Sequence, residues 1–282
     1  MVTPALSGKG WLELPGAPGN EEYVQAVYDG AARNFTYNYD KDMYTSLWVA
    51  YPLYSSVISG DNSANWKWDP NVPNQYEINV TDASYQVNYG KTDPTGYDKD
   101  LEYYARGHQI PNADRKSSST MNSQVYYNTN STPQIQNGFN GGIWENLESA
   151  IRKTIPASDT LYVVTGAAFQ KKGETKTVTW ILPQGEIKAE TNKKAPVPNY
   201  YWKVLLKVKR NSKGVVTDAS SVGFWYEHKS YKDTGKKYYD SEFVVNVDQI
   251  EQWTGFDFFV NVPDAVEATA ERNSSWSDFQ SF

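Results

Sequence analysis

One stretch constrains the fold more than any other: NGGIWENLESAIRKTI, residues 140–155. Ile143, Leu147, Ala150, Ile151 and Thr154 fall at i, i+4, i+7, i+8 and i+11, one face of an α-helix. Asn140 is placed to cap its N-terminus. Glu148 and Arg152, four apart, lie at the edge of the opposite face. A helix with a single apolar stripe has to bury it against another layer.

The flanking segments say what that layer is. RNFTYNYDKDMYTSLWVAYPLY (33–54) alternates, is rich in β-formers and breaks at YDKD, which predicts a strand pair. TLYVVTGAAF (160–169), TVTWILP (177–183), YYWKVLLKVKR (200–210) and VGFWYEH (222–228) predict further strands. SQVYYNTNSTPQ (123–134) reads as a short strand running into a polar loop. DQIEQWTGF (248–256) predicts a short helix with an Asp cap and a Gly stop. Residues 55–100, punctuated by WKWDPNVPNQ and KTDPTGYDKD, read as a long surface excursion. Residues 1–30 read as an extended lead-in to a single domain over 31–282. The expected class is α+β, with a central antiparallel sheet and few helices.

Composition narrows the chemistry. The chain has no Cys, so it can form neither a disulfide nor a thiolate metal site. Any metal must be held by oxygen or imidazole, which favours a hard ion such as Mg²⁺. No apolar run approaches the ~18 residues of a membrane span. The N-terminus, MVTPALSGKGWLELPG, lacks the basic-then-apolar pattern of an export signal. The aromatic, Asn-rich, Cys-free composition nonetheless favours an exported protein whose signal has been removed over a cytoplasmic one. The net charge of −6 weighs against nucleic acid as a partner. Its distribution offsets this: Lys171 to Lys237 carries 15 Lys and Arg against six Asp and Glu, a basic segment on an acidic body.

There are only two histidines, His108 and His228. His108 lies in YYARGHQIPNADR (103–115), among Arg106, Gly107, Gln109, Asn112, Asp114 and Arg115. These are polar, hydrogen-bonding residues and a small one, not the apolar neighbours of a core histidine. His228, in WYEHKSYK, has no such company and reads as a surface or strand residue. A strand ending at His108, another ending near Asn130 and a helix opening at Asn140 would bring one imidazole and two carboxamides to element ends, where loops converge.

In that order and at these spacings, ARGHQIPNADR (105–115), NTNSTPQ (128–134) and NGGIWENLESAIR (140–152) resemble the signature of the DNA/RNA non-specific endonucleases, the ββα-metal or His-Me-finger nucleases that include endonuclease G. VVTGAAF (163–169), PNYYWKVLL (198–206) and VDQIEQWTGFDFF (247–259) extend the likeness over roughly residues 35–270. The resemblance implies a ββα-metal motif at about 103–155 and a metal-dependent hydrolysis of phosphodiester bonds in DNA and RNA. His108 would be the general base. Asn140 would be the single protein ligand of a Mg²⁺ ion, with Mn²⁺ able to substitute, and Glu148 would hold the metal-bound waters. Arg106 and Arg152 would clamp the phosphate, and Asn130 would fix the site geometry. The products would carry a 5′ phosphate and a 3′ hydroxyl, and the enzyme would be a monomer or a homodimer.

Two positions depart from the family pattern. Ala105 stands where most relatives have Asp, leaving Asp114 as a carboxylate that could take over its hydrogen bonds. In SANWKWDP (63–70), Ala64 stands where an Arg would touch substrate, and Lys67 is the nearest replacement. The competing reading is a nuclease-like module that binds nucleic acid without cutting, or a polysaccharide-binding module whose Trp and Tyr stack on sugars. A glycosidase would need two placed carboxylates, and no pair is singled out.

Overall fold

The alternating runs become strands, and the strands are antiparallel throughout the main sheet. The computed structural model describes residues 11–16, 24–81, 85, 86, 88 and 102–282. Its strands are β1 (Val24–Asp29), β2 (Ala32–Asp40), β3 (Thr45–Leu53), β4 (Tyr104–His108), β5 (Ser131–Ile135), β6 (Leu161–Ala168), β7 (Thr179–Ile181), β8 (Ala195–Val197), β9 (Tyr200–Arg210), β10 (Val216–Glu227) and β11 (Val244–Val245). The helices are α1 (Ser119–Gln124), α2 (Glu145–Arg152), α3 (Gln184–Lys188), α4 (Val247–Thr254), α5 (Asp264–Ala270) and α6 (Trp276–Ser281). Seven strands form one sheet in the order β1-β2-β3-β6-β9-β10-β11, while β4-β5 and β7-β8 are separate ribbons. The molecule is α+β, as the pattern implied.

Strand periodicity divides the core in two. In β9, Tyr201 and Leu205 face one side of the sheet with Ile143, Trp144, Leu147 and Ile151. Trp202, Val204 and Leu206 face the other, with Val247 and Ile250 of α4 and with Phe258 and Phe259. Both faces of the sheet are therefore covered, which is why its central strands read as nearly continuous apolar runs. The apolar stripe expected on α2 is the buried one: Ile143, Leu147, Ala150, Ile151 and Thr154 are all buried.

Several boundaries differ from expectation. Val24–Asp29, counted in the lead-in, is the edge strand β1 paired with β2, so any lead-in ends before residue 24. The excursion over 55–100 is only partly superficial: Val57, Trp66, Val72, Ile78, Val80 and Tyr85 join the core, while 82–84, 87 and 89–100 lie outside the described residues. The strand expected from 123 is the end of α1 and a turn, and the true strand β5 lies in what read as the polar loop. Some of its polar groups find partners inside, as when Tyr201 Oη donates to Thr132 Oγ1 at 3.0 Å and Pro133 O at 2.9 Å. Asn140 caps no helix. Left-handed Gly138 (φ 80°) and the non-helical Gly141 and Gly142 delay the regular turns until Glu145. The 248–256 helix starts earlier, capped by Asn246, whose Oδ1 accepts from Gln249 N at 2.9 Å. It stops at left-handed Gly255 as expected.

Candidate active site

The β4-β5 ribbon carries the histidine to the edge of α2. Residue pairs run from Tyr104↔Ile135 to His108↔Ser131, so His108 closes its strand at the open end of the ribbon. Gly107 has to be glycine: a Cβ there would lie 2.2 Å from the buried Gln134 side chain across the ribbon. Asn130 fixes the turn beyond His108. Its Oδ1 accepts from Ile110 N at 3.0 Å, and its Nδ2 donates to Ile110 O at 3.1 Å and Val125 O at 2.7 Å. Asn130 is buried behind the cleft and is not part of its lining.

Arg106, His108, Asn140, Glu148 and Arg152 line one open cleft of about 370 Å³. Five of the six residues singled out in the sequence thus converge, with Gln136 and Glu145 completing the polar wall. The His108 ring packs against Trp66 (centroids 4.5 Å) and edge-on to Tyr126 (4.8 Å). Nε2 is buried with no hydrogen-bond partner among the described residues, which leaves Nδ1 as the ring nitrogen that solvent in the cleft can reach. Burial, and then the charge of Arg106, pull the imidazole pKa down to about 3, so the ring is neutral. Arg106 donates to Val80 O at 2.9 Å and sits over the Trp66 ring.

Among the described residues, Asn140 makes one side-chain hydrogen bond, from Nδ2 to Gln136 Oε1 at 2.9 Å, and its Oδ1 accepts from no donor. An uncapped helix start thus leaves a free carboxamide oxygen in the cleft. A side chain at Gly141 would meet Gln136 Nε2 at 2.8 Å, so glycine here keeps that partner in place.

The far wall is a chain of paired charges. Arg152 donates to Asp114 Oδ1 at 3.0 Å and Ser149 Oγ at 3.0 Å, while Tyr51 Oη donates to Asp114 Oδ2 at 2.9 Å. Asp114 therefore orients Arg152. Glu148 is raised to about 7 by burial, against the pull of Lys203. Lys203 Nζ lies 3.8 Å from Glu148 Oε1, bonds Thr165 Oγ1 at 3.0 Å and rests over the Trp144 ring. Sequence reading missed Lys203. The available signal was a lysine inside YYWKVLLKVKR, a run apolar on both faces, where a charge must have a partner. It also missed Trp66 and Tyr126. Lys67 is turned away, bonded to Ser123 Oγ and over Tyr127, and is not part of the cleft wall.

His228 is neither free nor at the surface. Its Nε2 accepts from Ile135 N at 2.8 Å and its Nδ1 donates to Pro198 O at 2.8 Å, which pins the end of β5 to the entry of β9. The ring packs on Phe139, Tyr201 and Tyr104.

Comparisons with known proteins place the chain as a whole. A family model described as DNA/RNA non-specific endonuclease matches residues 17–265. A nuclease of Serratia marcescens is 28% identical over 237 residues, covering 83% of this chain and 76% of that protein. A nuclease of Nostoc sp. is 24% identical over 274 residues, covering 96% and 87%. A mitochondrial nuclease EXOG of Danio rerio is 26% identical over 233 residues, covering 80% and 59%. A crystal structure of an EndoG/EndoGI complex superposes with a TM-score of 0.63 over 89% of this chain and 91% of that one, at 18% identity. That likeness is one of fold.

Proposed function

The chain belongs to the DNA/RNA non-specific endonuclease family, and from that premise we propose that the His108 cleft hydrolyses phosphodiester bonds in both polymers without regard to base sequence. The observation that carries the reading is the convergence of a neutral imidazole, a free carboxamide oxygen and two guanidinium groups on one cleft.

His108 holds the proton-accepting role. Its Nδ1 is unprotonated in one neutral tautomer and reachable by water, while Trp66 and Tyr126 hold the ring plane. An anionic phosphate beside Arg106 raises the basicity of the imidazole as substrate enters. The water proton then passes to Nδ1 as its oxygen attacks phosphorus, the P–O3′ bond breaks, and the departing 3′ oxygen takes a proton from solvent, leaving 5′-phosphate and 3′-hydroxyl ends. Arg106 and Arg152 present guanidinium forks to phosphate oxygens. Asp114 and Ser149 hold Arg152 in place for this. Contacts to phosphate carry no base information, so cleavage tolerates any sequence.

The donor set fits a hard divalent ion: Asn140 Oδ1 is uncommitted, and Glu148 lines the same wall with a carboxylate available to hydrating waters. Bound there, Mg²⁺, or Mn²⁺ in its place, would neutralise charge growing on phosphorus and on the leaving oxygen. None of the ten tryptophans is exposed, which leaves little for a sugar-stacking surface. Export belongs to the same proposal and rests on composition; no helix among the described residues is long and apolar enough to cross a membrane.

The test is incubation with plasmid DNA and with RNA, in Mg²⁺ and in EDTA. Cutting of both polymers in Mg²⁺ alone, with a higher Mg²⁺ requirement in Asn140→Ala, is the expected result. Retention of either polymer without cleavage would instead establish a binding module.

A further inference from the structure

Helices α4 and α5 lie over the sheet face remote from the His108 cleft, and they turn acidic sides toward each other. Asp248 and Glu251 are three apart on α4, while Glu267 lies on α5 and Glu271 follows its last turn. One carboxylate oxygen from each of Asp248, Glu251 and Glu271 lies within 4.8 Å of the others. Glu271 is only 6% exposed. Among the described residues, its Oε1 is buried without a hydrogen-bond partner, and so is Oε1 of Glu267. Among the described residues, no lysine or arginine forms an ion pair with any of these four.

Such an arrangement is costly as it stands. Like charges three or four apart on a helix repel, and a buried carboxylate without a donor loses its hydration uncompensated. The charges that Glu271 feels most, beyond its own burial, are Glu251, Glu267, Asp248 and Asp257, all acidic. The backbone nevertheless holds the groups together firmly. Val247 N donates to Glu271 O at 3.0 Å, joining the start of α4 to the end of α5, and Ser221 Oγ of β10 donates to Ala270 O at 2.8 Å. Phe258 N donates to Glu251 Oε1 at 2.7 Å, which orients that carboxylate and leaves its second oxygen free.

We infer that Asp248, Glu251 and Glu271 form a structural Ca²⁺ site, separate from the catalytic cleft, that fastens α4 and α5 to the sheet. All the donors are oxygens, as a hard cation demands. Monodentate carboxylates with room for water suit the loose coordination of Ca²⁺ better than the strict octahedron of Mg²⁺. The buried, partnerless oxygen of Glu271 separates this cluster from an ordinary acidic surface. Glu267 completes the negative wall.

The test uses full-length Asn140→Ala protein, stripped with EDTA, so that the cleft does not contribute. Thermal unfolding is followed while Ca²⁺ is titrated, with Mg²⁺ titrated in parallel. The expected midpoint rises by about 5 °C once Ca²⁺ is ~100-fold above its Kd, with Mg²⁺ at least tenfold less effective. The rise should vanish on adding Glu271→Gln or Glu251→Gln. Glu271→Gln should also unfold at a higher temperature than its parent in EDTA, because it relieves repulsion. No Ca²⁺ response, an equal response to both ions, or a response that survives both substitutions would overturn the site.

Discussion

The two faces of the sheet each carry a group of partly or fully buried carboxylates, and the protein treats them in opposite ways. On the α2 face, Asp114 is matched by Arg152 and Glu148 by Lys203, and Glu148 and Arg152 of these pairs line the cleft. On the α4 face, Asp248, Glu251, Glu267 and Glu271 have no basic partner among the described residues. Burial raises Glu148 to about 7, with a lysine pulling against it, whereas Glu271 is pushed up to about 9 by burial and by other acids. Charges on the first face are arranged by the chain itself. Those on the second await a cation from solution.

The largest effect that tests this contrast is Lys203→Met. It leaves Glu148 buried without its lysine and should cost ~3–5 kcal/mol, read as a fall in the denaturant midpoint. Adding Glu148→Gln to that variant should recover much of the loss, because no uncompensated charge then remains. If the double variant is as unstable as the single one, the pairing is not what matters on that face.

His228 gives the next effect. Its ring accepts the Ile135 N–H, so the fold needs it neutral, and burial lowers its pKa from 6.5 to about 4. The unfolded chain therefore binds the proton first. The stability this group contributes is complete above pH ~6.5 and is lost as pH falls toward 4, by up to about 3 kcal/mol. His228→Gln removes the titration, so the stability difference between wild type and variant should change only within that window. A difference that does not vary with pH would refute the role.

The smallest effect lies on the acidic face. In EDTA, Glu267→Gln should stabilise the protein by roughly 0.2–0.5 kcal/mol, since it removes a like charge from an unpaired group. A comparable loss would mean that hidden partners exist there.

What could be read from the sequence follows the physics of each element. The β2-β3 hairpin, β9 and the buried stripe of α2 were legible because apolar period alone specifies them. So was the placing of His108, Arg106, Asn140, Glu148 and Arg152 together, through the ordered family signature. The start of α2 was not, because Gly138, Gly141 and Gly142 break the ladder where the apolar spacing already looks helical. Strand β5 was hidden because STPQI reads as a polar loop, while its hydroxyls meet partners distant in sequence, such as Tyr201 for Thr132 and Tyr85 for Ser131. Lys203 was hidden for a related reason. A lysine in a strand reads as solvent-facing until the helix that covers it, and the Glu148 it meets, are in place.

The central claim is that His108 activates water for phosphodiester hydrolysis. Single-turnover cleavage of plasmid DNA and of RNA by wild type and by His108→Ala, at equal folded concentration in saturating Mg²⁺, tests it most directly. The account predicts a rate loss of ~10²–10⁴-fold on both polymers with substrate affinity retained. A variant that cuts either polymer within a few-fold of the wild-type rate would contradict it.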